Sequence, residues 1–127
     1  MSLHRIAQEE IRKNRTPDNR SKCLFDADKL DCIGAIGITR SAFVSFDHKQ
    51  EFYKEVDDIE AYRRRNIRPD GTIIDSALHS SNLEYELSLK AVPSRMYTET
   101  GKRLAKERAA FMDAFYRRLG KELKGIM

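Results

Sequence analysis

The segment "FDADKLDCIGAIGITRSAF" (Phe25–Phe43) places three aspartates directly before an apolar run that contains two glycines. An ionised carboxylate in apolar surroundings is costly unless it is paired, hydrogen-bonded or bound to a metal ion. On a helix, Asp28 and Asp31 share one face, whereas Asp26 lies about 200° around the axis from Asp28. Two of the three carboxylates can therefore converge on one site.

A plainer interpretation is that these aspartates are solvated charges near a helix start, where acidic residues are common. Asp26 and Asp31 would then form ion pairs with basic neighbours, namely Lys22, Lys29 or Arg40. Residue spacing alone leaves both interpretations open.

Composition predicts one folded, helix-rich domain over residues 1–127. Hydrophobic residues make up 40% of the chain and charged residues 35%, with only 6 Gly and 3 Pro. The net charge of +4 is small for a nucleic-acid-binding domain. Cys23 and Cys32 lack metal-site spacing and are expected to be reduced thiols of a cytoplasmic protein. No apolar run approaches the roughly 18 residues of a membrane span, so no membrane contact is expected.

Helical periodicity begins near the N-terminus, where residues 4–15 predict a short amphipathic helix. Thr16 as N-cap and Pro17 in the first turn predict the start of a second helix. We expect that helix to continue through the aspartates and to be enclosed by other helices between Leu30 and Ile38, where it is apolar on nearly all sides. Gly34 and Gly37 would let a neighbouring helix approach closely.

The second half of the chain alternates between weak and strong helical signals. Residues 44–72 predict a less regular excursion with a short helix near residues 57–65 and a turn at "RPDG" (68–71). Residues 72–90 predict a third long helix, ended by Pro93. The clearest helix follows, with Thr98 or Thr100 as its cap, Gly125 beyond its end and an apolar stripe of Leu104, Ala105, Phe111, Met112, Phe115, Leu119 and Leu123. The fold class is therefore all-α, a bundle of about four to five helices.

Two blocks of the chain resemble a family of HD-superfamily metal-dependent phosphohydrolases. The segment at 25–43 is similar to that family's D-A-D-(K/R)-L-D-A-(I/L)-G-A-I-G-I-(A/T)-R-x-F signature. The segment "MYTETGKRLAKERAAFMDAFYRRLGKE" (96–122) is similar to its closing helix. Between the blocks the likeness fades, and Asn82 stands where the family has a histidine. The resemblance implies the C-terminal part of an HD-domain fold.

The same resemblance implies a divalent metal ion held by a His, a His-Asp pair and a later Asp, which activates water against phosphate esters such as nucleotides. It places the later Asp on Asp28, with Asp31 also assigned to catalysis. Lys29 and Arg40 are the expected substrate-binding residues. The metal identity and the substrate are left open.

The chain departs from the family pattern upstream of the signature. It contains no His-Asp dipeptide, only His4 precedes the signature, and Asp47-His48 is the motif in reverse. The chain would therefore correspond to the C-terminal portion of such an enzyme, as a fragment or a split homologue. Because one carboxylate cannot hold a catalytic divalent ion, we expect it to be inactive unless another polypeptide supplies the missing ligands.

Other polar groups have plainer explanations. His79 is expected to be a partly buried polar residue, and the basic run at 62–68 a solvated face, although its arginines could hold a phosphate. Three hypotheses for function follow. The first is a phosphohydrolase segment that binds a phosphorylated small molecule or nucleotide. The second is a non-catalytic module that forms homo-oligomers through exposed apolar helix faces. The third, least favoured, is a basic nucleic-acid-binding domain.

Overall fold

The computed structural model describes residues 18–126, which fold into α-helices joined by short turns. The helices are α1 (Asn19–Leu30), α2 (Gly34–Asp47), α3 (Ile59–Asn66), α4 (Ser81–Leu87), α5 (Val92–Arg95) and α6 (Glu99–Leu123), with 3₁₀ turns at Ser76–Leu78 and Leu89–Ala91. Within this part of the chain, β-pairing is limited to two isolated bridges. The prediction of an all-α bundle of about four to five helices is confirmed, since five of the helices have seven residues or more.

The first described helix starts at Asp18, whose carboxylate accepts a hydrogen bond from the Ser21 backbone N–H at 2.7 Å. This is an ordinary N-cap, which satisfies one of the free N–H groups of the first turn. The predicted helix over residues 4–15 and the predicted cap at Thr16 lie outside the described residues. Among residues 18–126, no helix combines the length and the hydropathy that crossing a bilayer requires.

The expected continuous helix through the aspartates is wrong, because α1 stops at Leu30 and α2 begins at Gly34. Gly34 has a φ of +77°, a backbone conformation that glycine adopts at little cost, and this turns the chain so that Ile33 enters the core. The Arg108 guanidinium of α6 donates to the Leu30 carbonyl at 2.6 Å, so it satisfies a carbonyl at the end of α1. A Cβ at Gly34 would press on that arginine side chain.

The expectation that the apolar helix is enclosed on nearly all sides is also wrong. The inner face of α2 packs against α4 and α6. Its outer side leaves Phe43 72% exposed and Phe46 87% exposed, with Ile36 and Val44 about half exposed. The uniform apolar pattern therefore arises because one face of α2 lies in the core, while the apolar side chains on its other face are not covered by any described residue.

The predicted long helix over residues 72–90 is wrong as well. Two side chains interrupt it by accepting hydrogen bonds from backbone N–H groups a few residues later in the chain. Asp75 accepts from the Ala77 N–H at 3.0 Å, and Ser80 accepts from the Leu83 N–H at 3.4 Å. Such local bonds compete with a continuous helix and favour a cap. Pro93 does not end a helix but lies in the first turn of α5, where its missing N–H costs nothing.

The last helix, α6, forms as predicted and organises the bundle. Thr98 is its N-cap, with Oγ1 accepting from the Gly101 N–H at 2.9 Å. It packs against α1, α2 and α5. The core that it shares with them consists of Ile33, Tyr85, Val92, Met96, Ala105, Met112 and Tyr116.

Three tyrosines of this bundle make its stability sensitive to high pH. Burial raises the pKa of Tyr85 to about 12, and burial also raises the pKa of Tyr62 and Tyr116. A tyrosine whose pKa is higher in the folded than in the unfolded state makes its full contribution to the free energy of unfolding below the unfolded-state pKa of about 10. This contribution is lost as the pH rises through the folded-state pKa. We therefore expect the free energy of unfolding, measured with urea, to fall between about pH 9 and pH 12. The free energy of unfolding of the Tyr85→Phe variant should fall less over that interval. An equal fall would show that Tyr85 is not responsible for the pH dependence.

Candidate functional site

Asp26 is the buried member of the aspartate cluster, and its carboxylate is satisfied by the start of α6. It accepts hydrogen bonds from the Tyr97 N–H at 2.9 Å, the Thr98 N–H at 2.8 Å and the Thr98 hydroxyl at 2.6 Å. Gly101 permits this approach, because a Cβ there would collide with the carboxylate. The helix N-terminus favours an anion. Asp26 therefore joins α1 to α6, and the interpretation that it pairs with a lysine of its own helix is wrong.

Asp28 and Asp31 have different surroundings. The side chain of Asp28 is half-buried and makes no hydrogen bond or ion pair with any residue in 18–126. Asp31 is exposed at the C-cap of α1, where its carbonyl, not its carboxylate, accepts from the Arg40 guanidinium at 3.1 Å. The expected ion pair between Arg40 and the Asp31 carboxylate is therefore replaced by a bond to the backbone. Asp28 keeps a carboxylate that can receive a ligand.

The described residues do not make a metal site by themselves. Within residues 18–126, no three His, Cys, Asp or Glu side chains lie close enough together to hold a metal ion. A divalent transition metal needs several nitrogen, oxygen or sulfur ligands, and Asp28 offers one carboxylate. No catalytic step through a metal follows from these residues alone.

Lys29, adjacent to Asp28, borders a broad basic cleft of about 810 Å³ between the end of α1, α3 and the segment before α6. We call it the arginine cleft. Its charged lining residues are Lys29, Arg63, Arg64, Arg68 and Arg95, with Asp70 and Glu84 as the two carboxylates. The arginines of the basic run at 62–68 are exposed, as expected for a solvated face, whereas Tyr62 and Asn66 of the same run are buried. Three of the arginines share this concave surface with Lys29.

The cations of the arginine cleft are only partly neutralised. Arg63 pairs with Glu60 at 3.6 Å, and Arg68 donates to Thr72 and to the Ile73 carbonyl at 3.3 Å. Arg64 and Arg95 have no hydrogen bond or ion pair with any described residue. A concave surface with free guanidinium groups is suited to an anion that has several oxygens.

Arg40, the other expected substrate-binding residue, borders a different cavity. This Arg40 pocket, of about 310 Å³, lies between α2 and the chain from Ile73 to Leu89. Its walls combine Val44, Ile73 and Leu89 with buried polar residues, which are Ser45, His79, Ser80 and Ser81. The structure therefore does not bring Lys29 and Arg40 together. Glu84 lines both cavities.

A buried chain of hydrogen bonds ends at Glu84. Asp75 fixes the Asn66 amide, because its N–H donates to Asn66 Oδ1 at 2.9 Å and its carbonyl accepts from Asn66 Nδ2 at 3.0 Å. The second proton of Asn66 Nδ2 goes to the Tyr62 hydroxyl at 3.0 Å. Among residues 18–126 the Tyr62 hydroxyl has no other acceptor, so its own proton is assigned to His79 Nδ1 at 2.6 Å.

This order of donors sets the state of His79. With Nδ1 as acceptor, the ring proton sits on Nε2 and is donated to Glu84 Oε2 at 2.7 Å. Burial raises the pKa of Tyr62, which keeps its hydroxyl a donor. His79 is only 2% exposed, so the expectation of a partly buried histidine understated its burial. Nothing in the residue spacing links position 62 to position 79, and sequence reasoning missed Tyr62 and Glu84 as its partners.

Several solved structures share this arrangement of helices. Bacillus subtilis YpgQ, determined in complex with ADP, is 27% identical over 86% of this chain and 46% of that protein, with a TM-score of 0.62. An HD-superfamily hydrolase from Bacillus thuringiensis is 25% identical over 82% of this chain and 46% of that protein, with a TM-score of 0.59. The chain has an HD-type fold. The Lin1889 protein of Listeria innocua is 29% identical over 82% of this chain and 47% of its own, with a TM-score of 0.58.

The HD-type chain spans about half the length of the solved structures that it matches. No protein-family model matches it, and no curated protein is significantly similar to it in sequence.

Proposed function

We propose that the chain is the phosphate-binding part of an HD-type phosphohydrolase that acts on phosphate esters such as nucleotides. The arginine cleft supports this proposal. It holds five cationic side chains, and two of them, Arg64 and Arg95, have no partner within the described part of the chain. Guanidinium groups donate paired hydrogen bonds to phosphate oxygens, which gives both affinity and orientation.

In this proposal Asp28 is one ligand of a divalent metal ion, and the remaining ligands come from protein outside residues 18–126. Its half-buried carboxylate, which has no hydrogen bond or ion pair with residues 18–126, is consistent with that role. A catalytic function for Asp31 and a substrate contact for Arg40 stay predictions, because one is exposed and the other borders a separate pocket. A cytoplasmic location also stays a prediction.

Isothermal titration with ADP, the ligand of the Bacillus subtilis structure, tests the proposal. We expect saturable binding without added metal, weakened as NaCl is raised because the attraction is between exposed charges. In the presence of Mg²⁺ or Mn²⁺ the chain should release no phosphate. Absence of binding would contradict the phosphate site. Robust metal-dependent release that is lost in Asp28→Ala would instead show that this chain holds a complete catalytic centre.

Self-association is a second candidate function, favoured by the outer face of α2. Ile36, Phe43 and Phe46 recur at helical spacing and are at least half exposed, so they form one apolar stripe. Stripes of this kind mark interaction surfaces more often than solvated ones. A homo-oligomer would cover the stripe.

We expect light scattering after size exclusion to give a mass that rises with protein concentration. Phe43→Glu should weaken the association by about tenfold or more, since it places a charge in an apolar contact. Ile74→Glu is the control, because Ile74 is an exposed apolar residue that does not belong to α2. A constant monomer mass, or equal effects of the two variants, would exclude this interface.

A further inference from the structure

We infer that Glu84 is a specificity-determining residue of the arginine cleft, which selects phosphate esters of polyhydroxylated compounds over inorganic phosphate. The inference rests on the proposed function, because it assumes that the cleft receives the phosphate. It goes further by proposing that the Glu84 carboxylate, which belongs to no motif in the sequence, binds the organic part of the ligand.

The first observation is that Glu84 has no arginine partner although it lines a cleft with five cations. Its single side-chain partner within residues 18–126 is His79, whose Nε2–H donates to Oε2 at 2.7 Å. The other oxygen, Oε1, has no protein donor in that part of the chain. The Glu84 side chain is 40% exposed, so this acceptor is open to a ligand.

The second observation is that the carboxylate is held from behind by buried groups. One amide proton of Asn66, the hydroxyl proton of Tyr62 and the ring proton of His79 are each donated toward Glu84, and all three side chains are at most 2% exposed. The imidazole proton stabilises the ionised carboxylate and limits its rotation. Glu84 therefore presents a fixed acceptor, where a free surface glutamate would move.

A fixed acceptor discriminates between ligands by what they can donate. At neutral pH inorganic phosphate carries a P–OH group that can donate to Oε1, but this donation brings the phosphate's own negative charge against the carboxylate, which repels it even though the five cations attract it. A phosphate ester with hydroxyl groups near the phosphate can donate to Oε1 while its phosphate contacts the arginines. A site built to accept a hydrogen bond rejects ligands without the donor more strongly than an apolar site rejects extra bulk.

The position of Glu84 leaves room for the organic part of such a ligand. Glu84 also lines the Arg40 pocket, about 310 Å³ in volume, whose walls are apolar with serine hydroxyls among them. A hydroxylated group held at Glu84 thus has a second cavity bordered by the same side chain. The arrangement fits an ester better than a bare anion.

Calorimetric titration with inorganic phosphate and with ribose 5-phosphate tests this inference. We expect the unmodified chain to bind the ester about tenfold more tightly than phosphate. In Glu84→Gln, which keeps an acceptor for His79, the preference should fall to about threefold or less, because a charge-assisted hydrogen bond becomes a neutral one. Phosphate itself should bind more tightly to Glu84→Gln, since a negative charge has left the cleft.

Glu86→Gln is the matched control, because Glu86 is an exposed glutamate of the same helix that pairs with Lys90 at 3.3 Å and does not line the cleft. It should keep the full preference. Equal affinities of the unmodified chain for the two ligands would overturn the inference and leave the proposed phosphate site intact. An unchanged preference in Glu84→Gln would also overturn it. Absence of binding by either ligand would overturn the proposed function and this inference with it.

Discussion

Replacing Asp26 with alanine is expected to lower the free energy of unfolding by about 3 kcal/mol or more. The substitution removes the acceptor of two backbone N–H groups and one hydroxyl, all at the start of α6. Those donors lie in a part-buried junction, so they lose a charged partner that water replaces poorly. Urea denaturation followed by circular dichroism measures the change.

Two further variants test whether the loss of stability comes from the Asp26 carboxylate itself. Asp26→Asn preserves shape and one acceptor oxygen, so its loss of stability should be smaller than that of Asp26→Ala. Asp31→Asn changes an exposed carboxylate that has no side-chain partner among residues 18–126, and it should shift stability by about 0.5 kcal/mol or less. If Asp26→Ala were as mild as Asp31→Asn, the carboxylate would not be what joins α1 to α6.

The double variant Arg64→Ala/Arg95→Ala is expected to weaken ADP binding about a hundredfold, near tenfold for each guanidinium removed. Both side chains line the arginine cleft, and neither has a partner within the described residues that competes for it. For the same reason their removal should leave the unfolding transition almost unchanged. Loss of affinity can therefore be read as loss of ligand contacts. Calorimetric titration at one fixed salt concentration measures it.

Arg103→Ala is the control for charge alone. Arg103 is an exposed arginine of α6 that lies outside the cleft lining, so its removal lowers the net charge without touching the proposed site. We expect less than a twofold effect on ADP affinity, in keeping with a distant, screened charge. A loss as large as that of Arg64→Ala or Arg95→Ala would show that ADP responds to net charge and not to a built site.

Local signals in the sequence predicted the parts of the fold that depend on neighbouring residues. The cap at Thr98 forms as expected. The apolar stripe of α6 is confirmed at its centre, where Ala105 and Met112 are buried, but the predicted members Phe111 and Leu123 are more than half exposed. The break between α1 and α2 was missed, because it depends on Ile33 entering a core formed by distant helices. An apolar run looks the same whether or not a glycine with positive φ divides it.

The aspartate cluster shows the same limit. Helical geometry correctly placed Asp26 away from Asp28, but it could not tell which side faces the protein. The donors that bury Asp26 lie 71 and 72 residues further along the chain. Asp26 and Asp28 are therefore indistinguishable by local pattern, although Asp26 is a buried structural carboxylate and Asp28 is half-buried with no partner among residues 18–126.

The candidate site was only partly visible in the sequence. Lys29 was predicted beside the site, and it does border a cleft, but Arg40 lies in another cavity. The arginines of α3 could be identified as a basic run, yet their convergence with Arg95 requires the tertiary fold. His79 and Tyr62 are 17 residues apart on different elements, and no periodicity connects them.

Nuclear magnetic resonance mapping of ADP on the isotope-labelled chain tests the central claim most directly. We expect saturating shifts of the guanidinium signals of Arg64 and Arg95 and of the neighbouring signals of Lys29. Shifts that saturate only around Arg40, or shifts that never saturate and vanish when salt is added, would contradict a phosphate site in the arginine cleft.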